Sequence, residues 1–306
     1  MNVTREWMET MRKLFGIATL VLMPVVGSAA ENSLGWAYPT EPAPGNNADA
    51  AAPAKPVNQA LIATTYTGLP RMPDIVARGK PLPCMQCHLA NGGSHPESAA
   101  ISGLSVNYII EQVHAFRDGD RVDTRTGRMV QAAKLISEKE LQEAAEYFSA
   151  IGPERQKWIK TVVGDEVPKG PAPFGGGGFR YHAADGGTEP LPEGRVIEVA
   201  ENDDLVRARD QINGGFVQYV HAGDLALGEK VATTGACATC HGAEYKGAGD
   251  VPRLAGQHPL YLIRQLKNMQ TGARKDKNVS LMKPIVAKLS DQEIVAVAAY
   301  LASKNP

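Results

Sequence analysis

The stretches Cys84-Met85-Gln86-Cys87-His88 and Cys237-Ala238-Thr239-Cys240-His241 decide how the rest of this sequence folds. Each contains two cysteines three residues apart, followed at once by a histidine. On one helical turn the two sulfurs reach the two vinyl groups of a haem, and the histidine turns a ring nitrogen onto the iron. The sequence therefore predicts two covalently bound haem c groups, each with its iron.

A zinc site, a structural disulfide and a redox dithiol are weaker interpretations of the same motifs. All four cysteines of the chain lie in the two motifs, so none is left to complete a zinc site or to form a separate disulfide. A redox dithiol would not need a histidine directly after both cysteine pairs. Haem attachment is thus the interpretation that uses every residue of each motif.

The two motifs begin two copies of one module, because an offset of 153 residues relates them without a gap. Beyond the cysteines and histidines, the same offset pairs further identical residues. Among them are Gly103 with Gly256, Tyr108 with Tyr261, Gln112 with Gln265, Gly119 with Gly272, Met129 with Met282, Ser137 with Ser290, and Tyr147 with Tyr300. We call residues 61–151 module one and residues 223–306 module two.

Each module has the apolar spacing of helices. Ser137 with Glu140, and Ser290 with Glu293, form the pattern of a capping box at the start of an apolar periodic run. Neither module needs paired strands. The prediction is an all-α fold, with two helical haem domains joined by a long, mostly irregular connection at 152–222. That connection is rich in proline and contains four successive glycines, although Arg195–Val199 alternates like a short strand.

The N-terminus predicts export. Arg12 and Lys13 precede an apolar run from Leu14 to Gly27, and small residues then precede Glu31. This order is typical of a signal peptide, here residues 1–30. The run is shorter than the ~20 residues that span a bilayer, although an uncleaved anchor helix remains an alternative. Residues 31–60, rich in proline and alanine, predict a flexible tether. The expected location is the periplasm.

Charge and composition exclude some partners. The formal net charge is −1, so the sequence has no basic footprint for nucleic acid. Aromatic residues make up only 6 % of the chain, and a haem in each module would add apolar surface that the side chains lack. Contact with a membrane is expected only through partners or through an uncleaved signal.

The sixth ligand of each iron decides between an electron carrier and a catalyst. Met129 lies 41 residues after His88, and Met282 lies 41 residues after His241. A methionine there fills the coordination sphere and raises the potential, so the iron passes electrons but does not readily bind peroxide or oxygen. We expect both methionines on loops that fold over the haem. Met269, on a predicted helix, and Met72, which has no counterpart in module two, are the competing candidates.

The second motif and its surroundings resemble the class I cytochromes c, and most closely the dihaem cytochrome c4 group. In module two the resemblance is carried by Pro252-Arg253-Leu254-Ala255-Gly256-Gln257, Met282-Lys283-Pro284 and Leu289 to Ile294. In module one it is carried by Phe116 to Gly119 and Ile136 to Leu141. The family implies one-electron transfer in the periplasm, with the axial pairs His88 with Met129 and His241 with Met282.

The resemblance also implies the surroundings of each haem. A proline carbonyl usually accepts a hydrogen bond from the axial histidine, which assigns that role to Pro252; the aligned residue in module one is Ala99. Pro81 and Pro83 disturb the helix before the first motif. Met129 lacks the proline that follows Met282 by two residues.

Three further residues are weaker candidates for the haem sites. Tyr108 and Tyr261 either bind haem propionates or only pack their helices. His95 is an alternative ligand should Met129 not bind, or else a surface histidine.

Three functions are compatible with these features. The first is a soluble carrier, not an enzyme, that takes single electrons from a dehydrogenase or quinol oxidoreductase to a terminal oxidase or another cytochrome. The second is a permanent cytochrome subunit of a dehydrogenase complex, with the long connection as its docking surface. The third is a dihaem redox enzyme with one open iron. Two methionines in one register favour the first over the third.

Overall fold

The computed structural model describes residues 30–31, 37–38, 69–79, 83–123, 127–153, 159–170, 179–207 and 214–306. The predicted signal peptide and tether therefore lie outside the described residues, apart from a short antiparallel pair, β1 (Ala30–Glu31) with β2 (Ala37–Tyr38). Within the described ranges, no helix has the length and apolar character needed to cross a membrane.

The described residues of module one form helices and no strands. They are α1 (Asp74–Arg78), α2 (Met85–His88), α3 (Val106–Asp118), α4 (Arg128–Leu135) and α5 (Glu138–Ser149). Helix α1 has five residues, in keeping with the proline-disturbed approach to the first motif. The core of the module forms where α1, α3 and α5 pack around buried Val76, Ile109 and Phe148.

Module two repeats this plan with a longer first helix, of 13 residues against five. Its helices are α7 (Ala222–Thr234), α8 (Cys237–His241), α9 (Pro259–Thr271), α10 (Lys283–Val286) and α11 (Asp291–Ser303), with one-turn 3₁₀ helices at Ala243–Tyr245 and Lys277–Val279. Helices α7 and α11 cross closely at Gly228. A Cβ atom there would lie 2.1 Å from the carbonyl oxygen of Ala296, so only glycine fits.

Local sequence signals explain where the repeated helices begin and end. Both predicted capping boxes are confirmed: the Ser137 and Ser290 hydroxyls accept hydrogen bonds from the backbone N–H three residues on, and Glu140 and Glu293 bond back. Helices α3 and α9 both end at a glycine with φ of 82°, a left-handed conformation that glycine adopts without a steric penalty.

The connection between the modules is folded as a sheet, so the prediction of an all-α fold with a mostly irregular connection is wrong. Its strands are β3 (Ile159–Val163), β4 (Glu166–Pro168), β5 (Phe179–Arg180), β6 (Thr188–Pro190), β7 (Val196–Ala200) and β8 (Phe216–Val220), with the short helix α6 (Asp203–Arg207) between the last two. Four strands form one mixed sheet in the order β3-β8-β7-β5, and β4 pairs with β6. Of these strands, the sequence indicates only β7, through the alternating residues Arg195–Val199.

The physical reason for the sheet is the burial of its two central strands, which alternates along β8 and covers four of the five residues of β7. In β8, Phe216, Gln218 and Val220 are buried, whereas the two residues between them are only half-buried. The run of glycines and two of the prolines that suggested an irregular connection fall at 171–178, outside the described residues. Short strands on either side of such a run carry a weak sequence signal.

The sheet packs against module two and reaches module one. The Gln218 side chain donates to the Ala299 carbonyl at 3.0 Å, so helix α11 is covered on the side away from the haem cavity. Fully buried His258, at the start of α9, lies 2.5 Å from fully buried Glu198 of β7. The other ring nitrogen of His258 lies 3.3 Å from the Ser94 carbonyl of module one. One side chain thus connects the sheet and both modules.

Candidate haem sites

The cysteines and the histidine of both motifs line one cavity of about 710 Å³. Its walls come from both modules and are mostly apolar. Among the predicted site residues, those that line it are Cys84, Cys87, His88, Tyr108, Met129, Cys237, Cys240, His241, Pro252, Tyr261 and Met282. The structure therefore brings all eleven predicted site residues around a single continuous space, so the two candidate haem sites adjoin each other.

Both axial histidine candidates are held by a backbone carbonyl. Nδ1 of His241 lies 2.7 Å from the Pro252 oxygen, and Nδ1 of His88 lies 2.9 Å from the Ala99 oxygen. Each bond fixes the ring and leaves Nε2 as the nitrogen available to a metal. Burial lowers the pKa of both histidines, which keeps them neutral as a metal ligand requires.

Nε2 of His241 is buried and has no hydrogen-bond partner. Buried polar atoms without a partner are rare in folded proteins. A haem iron bound at this nitrogen would satisfy it, so the residues present fit the cofactor that the motif predicts.

The loop that contains Ala99 is held by Gln257, a residue of module two. The side-chain amide of Gln257 accepts from the Ala100 backbone N–H at 3.0 Å and donates to the Ala100 carbonyl at 2.7 Å. Module two thereby holds the loop whose carbonyl orients His88. This contact compensates for the proline that module one lacks at Ala99.

The cysteines do not have the properties of a redox dithiol. Burial raises the pKa of Cys84 to about 12 and also raises that of Cys237. A reactive thiol needs a lowered pKa, since the thiolate is the nucleophile. Within the described ranges, no three histidine, cysteine or acidic side chains are grouped so that they could hold a metal ion.

The two methionine candidates line the cavity from different local structures. Met282 caps the short helix α10, whereas Met129 lies in the first turn of helix α4. The expectation that both methionines lie on loops is therefore wrong for Met129, which is in a helix. The competitor Met269 also lines the cavity, but it is 7 % exposed and packs with Val279 and Val286. Met72 packs against the core of module one and is not among the residues that line the cavity.

His95 lines the cavity, yet both of its ring nitrogens have partners in its own loop. Nε2 lies 3.2 Å from the Ser98 hydroxyl, and Nδ1 accepts from the Glu97 backbone N–H at 3.3 Å. Binding iron through His95 would break one of these contacts. The geometry therefore favours a structural role for His95 in its own loop.

Each tyrosine candidate is held by an arginine of the opposite module. Arg121 donates to the Tyr261 hydroxyl at 3.0 Å, and Arg274 donates to the Tyr108 hydroxyl at 3.2 Å. Burial acts to raise the pKa of Tyr261, but the charges of Arg121 and Arg274 lower it overall. Both hydroxyls therefore lie at the wall of the cavity in a positive environment.

The two arginines also bind the glutamines of both modules. Arg121 donates to Gln112 at 2.6 Å and to Gln265 at 2.7 Å, and Arg274 donates to the same two oxygens at 2.9 and 3.3 Å. The backbones of Arg121 and Arg274 pair in an antiparallel bridge. Asp276 is the carboxylate bonded to Arg274, at 3.1 Å. The contacts are therefore reciprocal, because each arginine binds the tyrosine of the other module and the glutamines of both.

Sequence reasoning missed these arginines although a signal was present. The offset of 153 residues that pairs the tyrosines and glutamines also pairs Arg121 with Arg274. An arginine repeated in register near a predicted cofactor was a detectable feature. Its partners could not be predicted, because each arginine bonds across the module interface.

The family is shown by comparison with known proteins. A model described as cytochrome c matches residues 225–305. Cytochrome c-554(548) of Halomonas halodenitrificans is 40% identical over 85 residues, which are 28% of this chain and all of that protein. The chain belongs to the cytochrome c family.

Some relatives span both modules. Cytochrome c4 of Pseudomonas aeruginosa is 26% identical over 248 residues, covering 79% of this chain and 94% of that protein. A thiosulfate dehydrogenase electron acceptor of Thiomonas intermedia is 25% identical over 224 residues, covering 72% and 78%. The chain is thus a dihaem, cytochrome c4-like protein of the class I cytochromes c. It binds haem c covalently and transfers electrons together with redox protein partners.

Proposed function

We propose that the chain is a periplasmic carrier of single electrons, with irons held by His88 and Met129 in module one and by His241 and Met282 in module two. The observation that carries the proposal is that each methionine lines the same cavity as its histidine, at the same distance along the chain. The bound haem supplies a one-electron centre at its iron. A methionine on the second face leaves that iron closed to peroxide and oxygen, which argues against an enzyme.

The residues of this chain perform three tasks in such a carrier. The Ala99 and Pro252 carbonyls orient the two histidines. The apolar cavity wall excludes water, which raises the potential of an enclosed haem. Because residues of both candidate sites line one cavity, an electron that enters at one haem would have a short path to the other.

The donor and acceptor are proposed from chemistry and from one relative. A one-electron carrier suits a periplasmic dehydrogenase or quinol oxidoreductase as donor, and a terminal oxidase or another cytochrome as acceptor. The described role of the Thiomonas intermedia relative, an electron acceptor of thiosulfate dehydrogenase, supports a dehydrogenase as donor. The signal peptide that the sequence predicts at residues 1–30 supports this location.

The ligand set is tested by methionine variants. Met282→Ala should open the second iron, lower its potential and allow it to bind carbon monoxide when reduced. Met129→Ala should do the same at the first iron. Met269→Leu is the matched control, since it alters a neighbouring buried methionine and should leave both irons closed. If Met269→Leu opens an iron and Met282→Ala does not, the assignment in module two is wrong.

A permanent cytochrome subunit is the second candidate, and the sheet favours it. Val162 and Val163 on edge strand β3 are 41 % and 49 % exposed. An apolar edge strand is a surface to which a partner can add. Purification of the untagged protein from its native host separates the two functions. A free carrier elutes alone, whereas stoichiometric co-purification with a dehydrogenase contradicts the carrier.

A further inference from the structure

Arg253 is a buried cation at the cavity wall, and most of its hydrogen-bond donors have no partner in the protein. Its side chain is 3 % exposed and lines the cavity. Nη1 donates to the Ala255 carbonyl, but Nε and Nη2 are buried without any hydrogen-bond partner. Arg121 and Arg274, by contrast, each bond several side chains. Burial lowers the pKa of Arg253 to about 10, so the guanidinium remains charged at neutral pH.

The two unpartnered atoms of Arg253 indicate the shape of the missing partner. Nε and Nη2 are on the same edge of the guanidinium, and their N–H bonds point the same way. This edge matches the two oxygens of a carboxylate, which arginine binds with two parallel hydrogen bonds. A buried charge is costly unless an opposite charge is paired with it. A carboxylate in the cavity would satisfy both requirements.

The position of Arg253 indicates which carboxylate this is. Arg253 directly follows Pro252, whose carbonyl holds the ring of His241. Haem c attached at Cys237 and Cys240 would therefore lie against the same wall, and haem carries two propionate carboxylates. We propose that Arg253 binds a propionate of the haem in module two. This inference rests on haem attachment in module two and goes beyond the proposed ligands and partners.

The same register makes the contact specific to one haem. The residue of module one that corresponds to Arg253 is Ala100, whose backbone is bonded by Gln257. A positive charge beside a haem disfavours the oxidised iron, which carries one more positive charge than the reduced iron. Through this contact alone, the second haem gains a higher potential than the first. Sequence reasoning quoted Arg253 as part of a motif but gave it no role.

The test is a redox titration of the holoprotein that resolves both haems. Met282→Ala assigns one of the two transitions to the second haem. Arg253→Gln should lower the midpoint potential of that transition and leave the other unchanged. Arg253→Lys keeps the charge and should recover most of the shift. Lys230→Gln is the control, because it removes one exposed positive charge from the same module and should move neither transition.

Three results would overturn the proposal. The second transition could move no further in Arg253→Gln than in Lys230→Gln, both transitions could move equally, or only the first could move. Should Arg253→Gln fail to fold, proton NMR of the reduced wild-type protein decides. The guanidinium protons of Arg253 should show contacts to the propionate methylenes of the second haem, and contacts to protein groups alone would contradict the proposal. The charge-transfer band from methionine sulfur to oxidised iron reports Met282 separately, so failure of the ligand set is distinguishable.

Discussion

Replacing Arg121 with methionine should weaken the interface between the modules. Arg121 is 5 % exposed and donates three hydrogen bonds, two of them to Tyr261 and Gln265 of module two. A hydrogen bond from a charged group contributes about 1.5–3 kcal/mol. Removal of a buried charge offsets part of that loss. We therefore expect the free energy of unfolding to fall by about 2–4 kcal/mol, measured by urea denaturation of the holoprotein.

A double-mutant cycle with Tyr261→Phe isolates the contact across the interface. The coupling free energy between Arg121→Met and Tyr261→Phe should be about 1–2 kcal/mol, since residues in one hydrogen-bond network are not additive. Arg117→Met is the matched control. Arg117 donates to the Ala133 and Ile136 carbonyls, at 2.8 and 3.0 Å, inside module one. Its coupling to Tyr261→Phe should stay below about 0.5 kcal/mol. Additive effects of Arg121→Met and Tyr261→Phe would refute a direct interface bond.

Three further substitutions test the packing and capping of the modules. Gly228→Val forces a side chain against the Ala296 carbonyl, so stability should fall by about 1–3 kcal/mol in thermal or urea unfolding, and an unchanged midpoint would contradict the close crossing. Phe148→Ala empties a site that is 1 % exposed and should cost about 3–5 kcal/mol by the same assay. Bonds from Ser290 lower the pKa of Glu293, so its contribution is present above the unfolded pKa and is lost as the pH falls through the lower folded pKa. Glu293→Gln should therefore flatten the acid side of the stability profile, and an unchanged profile would exclude the cap as its source.

Local features of the modules could be predicted from the sequence because they depend on neighbouring residues. The capping boxes at Ser137 and Ser290 need only a serine and a glutamate three residues later. The carbonyl beside His241 follows from the family motif that contains Pro252. Such short-range patterns do not depend on what the rest of the chain does.

Long-range features could not be predicted in the same way. In the sheet, β8 lies between β3 and β7. Its pairing with β3 joins Phe216 to Ile159, which are 57 positions apart in the sequence. The Gln257 clamp on Ala100 crosses the module interface. The unsatisfied edge of Arg253 becomes visible only when the surrounding groups have been placed. Each depends on contacts between distant segments, for which one sequence carries no local signal.

The most direct test of the carrier is the response of the reduced, exported holoprotein to carbon monoxide. We expect two covalent haems per chain, both closed by methionine, so the absorption spectrum should be unchanged after carbon monoxide is added. Rapid binding at one of the two haems would show an open iron and would contradict a pure electron carrier.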